Sequence, residues 1–127
     1  MAVSVPRVRV FVVDDDATVP RLLRLALPSV DDGLEIVGSA ADAAAARDGL
    51  GRCEADVVVI DHQLPDQNGV DLGRSLADEK PGLAMILWSG TRSAELRSDA
   101  IDAGFRDVIT KDDLDELAAV IRAAAPV

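Results

Sequence analysis

The sequence contains only one cysteine, Cys53, and only one histidine, His62. No disulfide can therefore form within the chain, and a reducing, cytosolic compartment fits this composition. Cys53 is also a poor candidate for a catalytic nucleophile, because a single histidine and no second thiol are available to activate it. We expect it to be a small, buried or half-buried side chain.

Basic residues are scarce as well: 13 Lys and Arg stand against 23 Asp and Glu, and the formal net charge is −10. Nucleic acids and anionic membranes both bind basic patches, so direct contact with either is not expected. The N-terminal stretch MAVSVPRVRVFVV is too short and too interrupted to span a membrane, and it lacks the cleavage site of a signal peptide. The acidic balance leaves divalent cations as candidate ligands.

The 127 residues, of which 49% are hydrophobic, suit one domain with its own core. Apolar β-branched runs alternate five times with segments whose apolar residues recur at helical spacing. Predicted strands cover 7–13, 34–40, 55–61, 83–90 and 107–111, and predicted helices cover 19–30, 42–50, 70–79, 93–103 and 114–125. This alternation predicts an α/β fold, a five-stranded parallel sheet with helices on both faces. We expect residues 1–127 to form a single domain.

Polar side chains follow the predicted strands at the point where each one ends. They are Asp14, Asp15 and Asp16 on the first strand, Asp61 on the third, Ser89 on the fourth and Lys111 on the fifth. In an open α/β sheet, ligands bind outside the carboxyl ends of the strands, where the strand order reverses. For the order 2-1-3-4-5 that point lies between strands one and three. Because these two strands end in aspartates, the sequence predicts one site at this edge.

The neighbouring aspartates need a compensating positive charge. Two carboxylates about 4 Å apart repel by roughly 4 kcal/mol at an effective dielectric near 20. Mg²⁺ bound by Asp14, Asp15 and Asp61 would offset this repulsion, because it is a hard ion that takes a few carboxylates and keeps several waters. Lys111 adds a compact positive charge and Ser89 a hydroxyl. In such a group a carboxylate can attack a phosphoryl group, and Asp61, alone at the end of its strand, is the best candidate.

Four segments carry these residues together: VFVVDDDATV, VVVIDHQLPDQNGVDL, MILWSGT and AGFRDVITKDDLDEL. The combination resembles the receiver domain of two-component response regulators, over roughly residues 7 to 124. The resemblance implies the flavodoxin-like receiver fold, with Asp61 as the phosphoacceptor. It also implies that Asp14 and Asp15 bind Mg²⁺, Asp15 more directly, and that the backbone carbonyl of Gln63 is a further ligand.

The resemblance assigns further roles around the phosphoacceptor. Ser89 would be the switch hydroxyl that bonds the attached phosphoryl group, and Lys111 would pair with that group. The side chains of Gln63 and Thr91 lie at positions that tune the rate of dephosphorylation in this family. The turn after the phosphoacceptor is matched by Pro65, Asp66 and Gly69.

Receiver domains take the phosphoryl group from a phosphohistidine, so the implied donor is a sensor histidine kinase or a phosphotransfer protein. The implied chemistry is limited to self-phosphorylation and slow hydrolysis, so the domain is not expected to be an enzyme. An unidentified output domain or target protein would read the face formed by the fourth helix, fifth strand and fifth helix. No output domain is expected within residues 1–127, the last helices offer a face for a homodimer, and a cytoplasmic location is expected.

Two positions depart from the common receiver pattern. Many receivers carry an aromatic residue three positions before the lysine, and its rotation reports activation. Here that residue is Val108 and the chain has no tyrosine, so an aromatic-rotation switch is not expected. Lys111 is followed by Asp112 instead of the usual proline, which is similar to regulators that carry a LuxR-like helix-turn-helix tail.

Simpler roles are expected for three residues near the site. Asp16 is predicted to cap the first helix rather than bind metal. Strand alternation predicts that the side chain of His62 faces away from Asp61, as a packing or surface residue. Trp88 is predicted to lie in the core.

Three other functions compete with a phosphorylated receiver. A phosphatase with an aspartyl-phosphate intermediate commonly has an acid two residues after the nucleophile, where this chain has Gln63, and a cap segment that is absent here. A receiver-like interaction domain that is never phosphorylated commonly loses the acidic pair, the acceptor or the lysine, and this chain keeps them all. A flavodoxin-like nucleotide-binding protein needs a glycine-rich phosphate loop, which the sequence lacks.

Overall fold

The computed structural model describes residues 7–125, and the first six and last two residues of the expected domain span lie outside this range. Five strands, β1 to β5, alternate with five helices, α1 to α5. The strands are Val8–Val13, Leu34–Ala40, Val57–Asp61, Ala84–Ser89 and Asp107–Thr110. The helices are Thr18–Val30, Ala43–Arg52, Gly69–Glu79, Ala94–Ala103 and Leu114–Ala124. Each predicted element is present, and its ends differ from the prediction by no more than two residues.

All paired strands are parallel, and their order in the sheet is β2-β1-β3-β4-β5. The predicted fold class and strand order are therefore confirmed. The register brings the carboxyl ends of the central strands level with one another, since Val13 lies opposite Ile60 and Ser89 opposite Thr110. This register places the residues that follow β1, β3 and β5 at one edge of the sheet.

Two apolar cores cover the two faces of the sheet, as expected for a parallel sheet buried on both sides. One core joins the sheet to α1 and α5 and includes Leu23, Trp88 and Leu117. The other joins it to α2, α3 and α4 and includes Phe11 and Phe105. Trp88 is 4% exposed, so its predicted core position is confirmed. Cys53 is half-buried, as expected.

The apolar residues of α1 recur at helical spacing, which predicts one buried face formed by Val19, Leu22, Leu23, Ala26, Leu27 and Val30. Leu23 and Leu27 lie in the core, but Leu22 is 64% exposed and Val30 is 43% exposed. Successive helical residues are rotated by about 100°, so a helix that contacts the sheet through Leu23 turns Leu22 towards solvent. The prediction that Leu22 and Val30 belong to the buried face is therefore wrong.

Residue types predict that Asp42 caps the start of α2 and Gly104 the end of α4, and the structure confirms both, but it contradicts the predicted cap at Asp16. Asp42 accepts a hydrogen bond from the N–H of Ala45 and caps α2, and Gly104 ends α4 with a φ of 105°. Ala17, not Asp16, takes the N-cap position of α1. Asp16 instead accepts hydrogen bonds from the backbone N–H and the hydroxyl of Thr18, at 3.0 and 2.7 Å. The Asp16 carboxylate therefore accepts the backbone N–H of Thr18, the first residue of α1, from the position before the N-cap.

Within residues 7–125, no helix combines the length and apolar character needed to cross a bilayer.

Candidate functional site

The strand-end residues meet at the carboxyl edge of the sheet. The Nζ of Lys111 lies 3.0 Å from Oδ2 of Asp14 and 3.2 Å from Oδ1 of Asp61. Carboxylate oxygens of Asp14, Asp15 and Asp61 all lie within 4.8 Å of one another. Asp14 and Asp61 are buried, whereas Asp15 is exposed. The structure thus brings together the residues that the sequence predicts to form one site.

Asp61 is held by a close approach between the end of β3 and the start of α3. The N–H of Gly69 donates to the carbonyl of His62 at 2.7 Å. A Cβ on Gly69 would collide with the carbonyl oxygen of Asp61, so only glycine lets the helix start this close. Asn68 caps the same helix by accepting from the N–H of Val70 at 2.8 Å. These contacts fix the backbone from which the Asp61 carboxylate projects.

The loop after β4 completes one wall of the site. The hydroxyl of Ser89 accepts a hydrogen bond from the N–H of Thr91 at 3.2 Å, and the carbonyl of Ser89 accepts from the N–H of Lys111 at 2.8 Å. An open cavity of about 570 Å³ lies over the site and is lined by Asp15, Asp61, His62, Gln63, Leu64, Pro65, Ser89, Gly90, Thr91 and Lys111. His62 is half-buried and contributes to the cavity lining, and the predicted direction of its side chain stays a prediction.

Burial and charge shape the protonation of this group. Burial raises the pKa of the Asp61 carboxyl, and the nearby Asp14 carboxylate raises it further, while Lys111 opposes both effects. Burial alone would lower the pKa of Lys111, but its hydrogen bonds and ion pairs with Asp14 and Asp61 outweigh burial and raise it. Lys111 therefore stays an ammonium, and the site favours a cation beside Asp61.

The carboxylate cluster fits a small divalent cation. Within residues 7–125, the three aspartates are the one group of this kind whose ligand atoms converge. An octahedral Mg²⁺ with bonds of about 2.1 Å spaces its ligands roughly 3 to 4 Å apart, which is compatible with carboxylate oxygens that all lie within 4.8 Å of one another. Three carboxylates and one ammonium leave two negative charges, which is the charge that one Mg²⁺ ion balances. Oxygen donors of this hardness are those that Mg²⁺ prefers.

Sequence reasoning missed the ion pairs that join α4 and the loop after β4 to β5 and α5. Arg92, three residues after Ser89, lies 3.6 Å from Asp107 on β5 and 3.3 Å from Glu116 on α5. Arg97 on α4 also pairs with Asp107, at 3.1 Å. No local pattern signals such contacts, because the partners are distant in the chain and ion pairs have no periodicity. Val108, next to Asp107 in the chain, is fully buried.

Comparison with known proteins identifies the family. Residues 10–122 match the response regulator receiver domain. The chain is 39% identical over 109 residues to protein-glutamate methylesterase/protein-glutamine glutaminase 2 of Cereibacter sphaeroides, covering 85% of this chain and 30% of that protein. It is 38% identical over 105 residues to the DNA-binding transcriptional activator DevR/DosR of Mycobacterium tuberculosis, covering 83% of this chain and 48% of that protein.

A solved structure of a LuxR-family two-component response regulator from an Aurantimonas species has the same fold. It superimposes with a TM-score of 0.84 at 27% identity, over 92% of this chain and 84% of that chain. The chain therefore belongs to the response regulator receiver domain family. It spans about a third to a half of the length of these two curated relatives.

Proposed function

We propose that this domain accepts a phosphoryl group on Asp61 and so acts as the phosphorylated switch of a two-component system. The observation that supports this most directly is the ammonium of Lys111 between Asp14 and Asp61, beside a carboxylate cluster suited to a divalent cation. Such a site has a nucleophile, a metal position and a fixed positive charge for a phosphoryl group.

In the proposed step, a carboxylate oxygen of Asp61 attacks the phosphorus of a phosphohistidine on a sensor histidine kinase or phosphotransfer protein. A phosphorus–oxygen bond forms as the phosphorus–nitrogen bond breaks, and the imidazole leaves with the bonding electron pair. Mg²⁺, held by Asp14, Asp15, Asp61 and the carbonyl of Gln63, would neutralise charge on the phosphoryl oxygens. Lys111 would pair with the same oxygens from the opposite side.

The attached group would then change the loop after β4. Ser89 would exchange its hydrogen bond from Thr91 for one to a phosphoryl oxygen, and this exchange would shift the loop. Arg92 joins that loop to β5 and α5, so the shift would reach the face formed by α4, β5 and α5. This route needs no aromatic residue at position 108. An output domain, a target protein or a second copy of the chain would read that face.

The proposal includes limits on activity and location. We expect self-phosphorylation and slow hydrolysis but no turnover of other substrates, because Gln63 stands where a phosphatase commonly has its acid. We expect the domain to act in the cytoplasm, on proteins and not on nucleic acid or lipid, in line with its net charge of −10. Residues 1–127 would work as one receiver domain.

An interaction domain that is never phosphorylated is the second candidate, and one experiment separates the two. The domain is incubated with a small-molecule phosphodonor in Mg²⁺ and in EDTA, and its intact mass is measured. One added phosphoryl group is expected in Mg²⁺ only, and none on Asp61→Asn. Asp99→Asn, at an exposed position of α4, is the matched control and should be modified like the wild type. An unmodified wild-type domain would favour the interaction domain.

A further inference from the structure

The loop between β3 and α3 is attached to a second helix through Asp66. One carboxylate oxygen of Asp66 accepts from the N–H of Ala43 at 2.9 Å, and the other accepts from the N–H of Ala44 at 3.2 Å. These are the first two residues of α2, more than twenty positions away in the chain. The contact therefore joins two loops that the sequence does not connect.

The start of α2 depends on carboxylates from both loops. The first N–H groups of a helix have no partner within the helix. Asp42, from the β2–α2 loop, accepts only the N–H of Ala45, and Asp66 supplies the acceptors for the two residues before it. The positive end of the helix also favours the two charges. Asp42 and Asp66 thus both cap the start of α2. Only Asp66 belongs to the loop between β3 and α3, residues 62–68, which we call the site loop.

Apart from the hydrogen bonds of Asp66, few described contacts fix the position of the site loop. Its base is closed by the bridge between Gln63 and Asn68 and by the hydrogen bond from Gly69 to His62. Asp66 lies at its tip, between these two closures and three residues beyond Gln63. The tip has one other side-chain contact with α2, the hydrogen bond from Nη1 of Arg47 to Oε1 of Gln67 at 3.4 Å. Without Asp66, this long hydrogen bond would be the side-chain hydrogen bond that remains between the tip and α2 among the described contacts.

The opposite side of the site is attached to the same helix end. The N–H of Asp14 donates to the carbonyl of Ala40, the last residue of β2, at 3.0 Å. Two residues further on, Asp42 starts α2. The helix end therefore lies between the segment that carries Asp14 and the loop that carries Gln63.

We propose that Asp66 is a positioning residue for the divalent-cation site. Its hydrogen bonds hold the site loop against the start of α2, and so keep Asp14 and Gln63, on the two sides of the site, at the separation that the bound ion requires. This inference rests on the proposed function, because it concerns the same metal site. Asp66 is exposed and does not itself join the carboxylate cluster. Its contribution is to lower the cost of ordering the loop when the ion binds.

Three variants test this role of Asp66. Asp66→Ala removes both acceptors and Asp66→Asn keeps one carbonyl oxygen. Asp42→Ala removes an acceptor from the same helix end without touching the site loop. Mg²⁺ affinity is measured by calorimetric titration, and stability by thermal unfolding in EDTA. We expect Asp66→Ala to weaken Mg²⁺ binding by about tenfold, the lower end for residues that hold metal ligands indirectly. Asp66→Asn should fall between, and Asp42→Ala should bind like the wild type.

The outcomes separate a positioning residue from an ordinary helix cap. Both alanine variants should lose thermal stability, because each leaves helix N–H groups unpaired. If Asp66→Ala and Asp42→Ala bind Mg²⁺ as the wild type does, Asp66 only caps the helix and the inference is wrong. If both weaken binding equally, loss of helix stability is the cause and the inference is also wrong. A wild-type domain that does not bind Mg²⁺ would overturn the proposed function instead.

Discussion

Replacing Asp61 with asparagine is expected to make the folded domain more stable when no Mg²⁺ is present. Asp61 is 8% exposed and lies in a group of three carboxylates with one ammonium. Asparagine has nearly the same shape, and its carbonyl oxygen can still accept from Lys111. Without Mg²⁺, the buried charge of Asp61 lowers the free energy of unfolding, and the substitution removes that charge.

The distances give the size of the effect. At 4.8 Å, the upper limit of the separations, and an effective dielectric of about 20, each carboxylate neighbour of Asp61 repels it by about 3.5 kcal/mol or more. The ammonium of Lys111 at 3.2 Å attracts it by about 5 kcal/mol at the same dielectric. Solvent screens the exposed Asp15 and the partly exposed Lys111, so the remaining repulsion is roughly 1 to 2 kcal/mol. Asp61→Asn should gain about that much free energy of unfolding.

The gain in free energy of unfolding from Asp61→Asn should increase as the pH rises. The folded-state pKa of Asp61 is raised from its ordinary value of 3.8 by burial and by Asp14. Below that ordinary value the carboxyl is neutral in both the folded and unfolded states, so the variant and the wild type should be equally stable. As the pH rises through the raised pKa, the charge appears in the folded wild type and its relative stability falls. The difference should be complete once the pH exceeds the raised pKa of Asp61.

Urea unfolding in EDTA at pH 4 to 7 measures this difference, with Asp99→Asn as a control expected to stay within about 0.5 kcal/mol of the wild type. With Mg²⁺ at about 100 times its dissociation constant the order should reverse, because binding adds roughly 2.7 kcal/mol to the wild type. A less stable Asp61→Asn in EDTA at neutral pH would refute the charge balance described here.

Three further substitutions test other contacts. Lys111→Met should lower the free energy of unfolding in EDTA by about 2 kcal/mol or more, because buried Asp14 loses its partner, and Mg²⁺ should restore part of it. Gly69→Ala should cost about 1 to 3 kcal/mol in urea unfolding, because the added Cβ meets the Asp61 carbonyl. Arg122→Met should cost about 1 kcal/mol at neutral pH through its ion pair with Asp31. Because Arg122 lowers the pKa of Asp31 below 3.8, that cost should disappear only in stronger acid.

Each of these predictions has a contradicting result. A Lys111→Met variant as stable as the wild type in EDTA would mean that the carboxylates do not need the ammonium. For Gly69, the control is Gly51→Ala on α2, where an added Cβ meets nothing within 4 Å. Equal effects at the two glycines would rule out the close approach to Asp61. An Arg122→Met cost that disappears near neutral pH would contradict the lowered pKa of Asp31.

The parallel sheet and the site were predictable from patterns that a sequence displays directly, whereas the strand order 2-1-3-4-5 was implied by the resemblance to receiver domains. The runs that became β3 and β4 are continuous and apolar, which requires cover on both faces of the sheet. The residues that end the strands are then brought together by the parallel topology alone. Asp61 and Lys111, fifty positions apart, meet for this reason.

The parts that were not predictable depend on geometry beyond one element. Leu22 follows the helical spacing of α1, but its exposure depends on how the helix is rotated against the sheet. Asp66 is a common turn residue, and nothing local indicates that its carboxylate reaches α2. Arg92 pairs with two residues on other elements, Asp107 on β5 and Glu116 on α5, which are distant from it in the chain.

The most direct measurement of the central claim is to locate the phosphoryl group on the chain. The domain is treated with a small-molecule phosphodonor and Mg²⁺, then with borohydride, which reduces an aspartyl phosphate to homoserine. Peptide mass spectrometry should find homoserine at position 61 alone, and no reduction without Mg²⁺. Homoserine at position 14 or 15, or a stable phosphate on Ser89, would contradict the assignment of Asp61 as the acceptor.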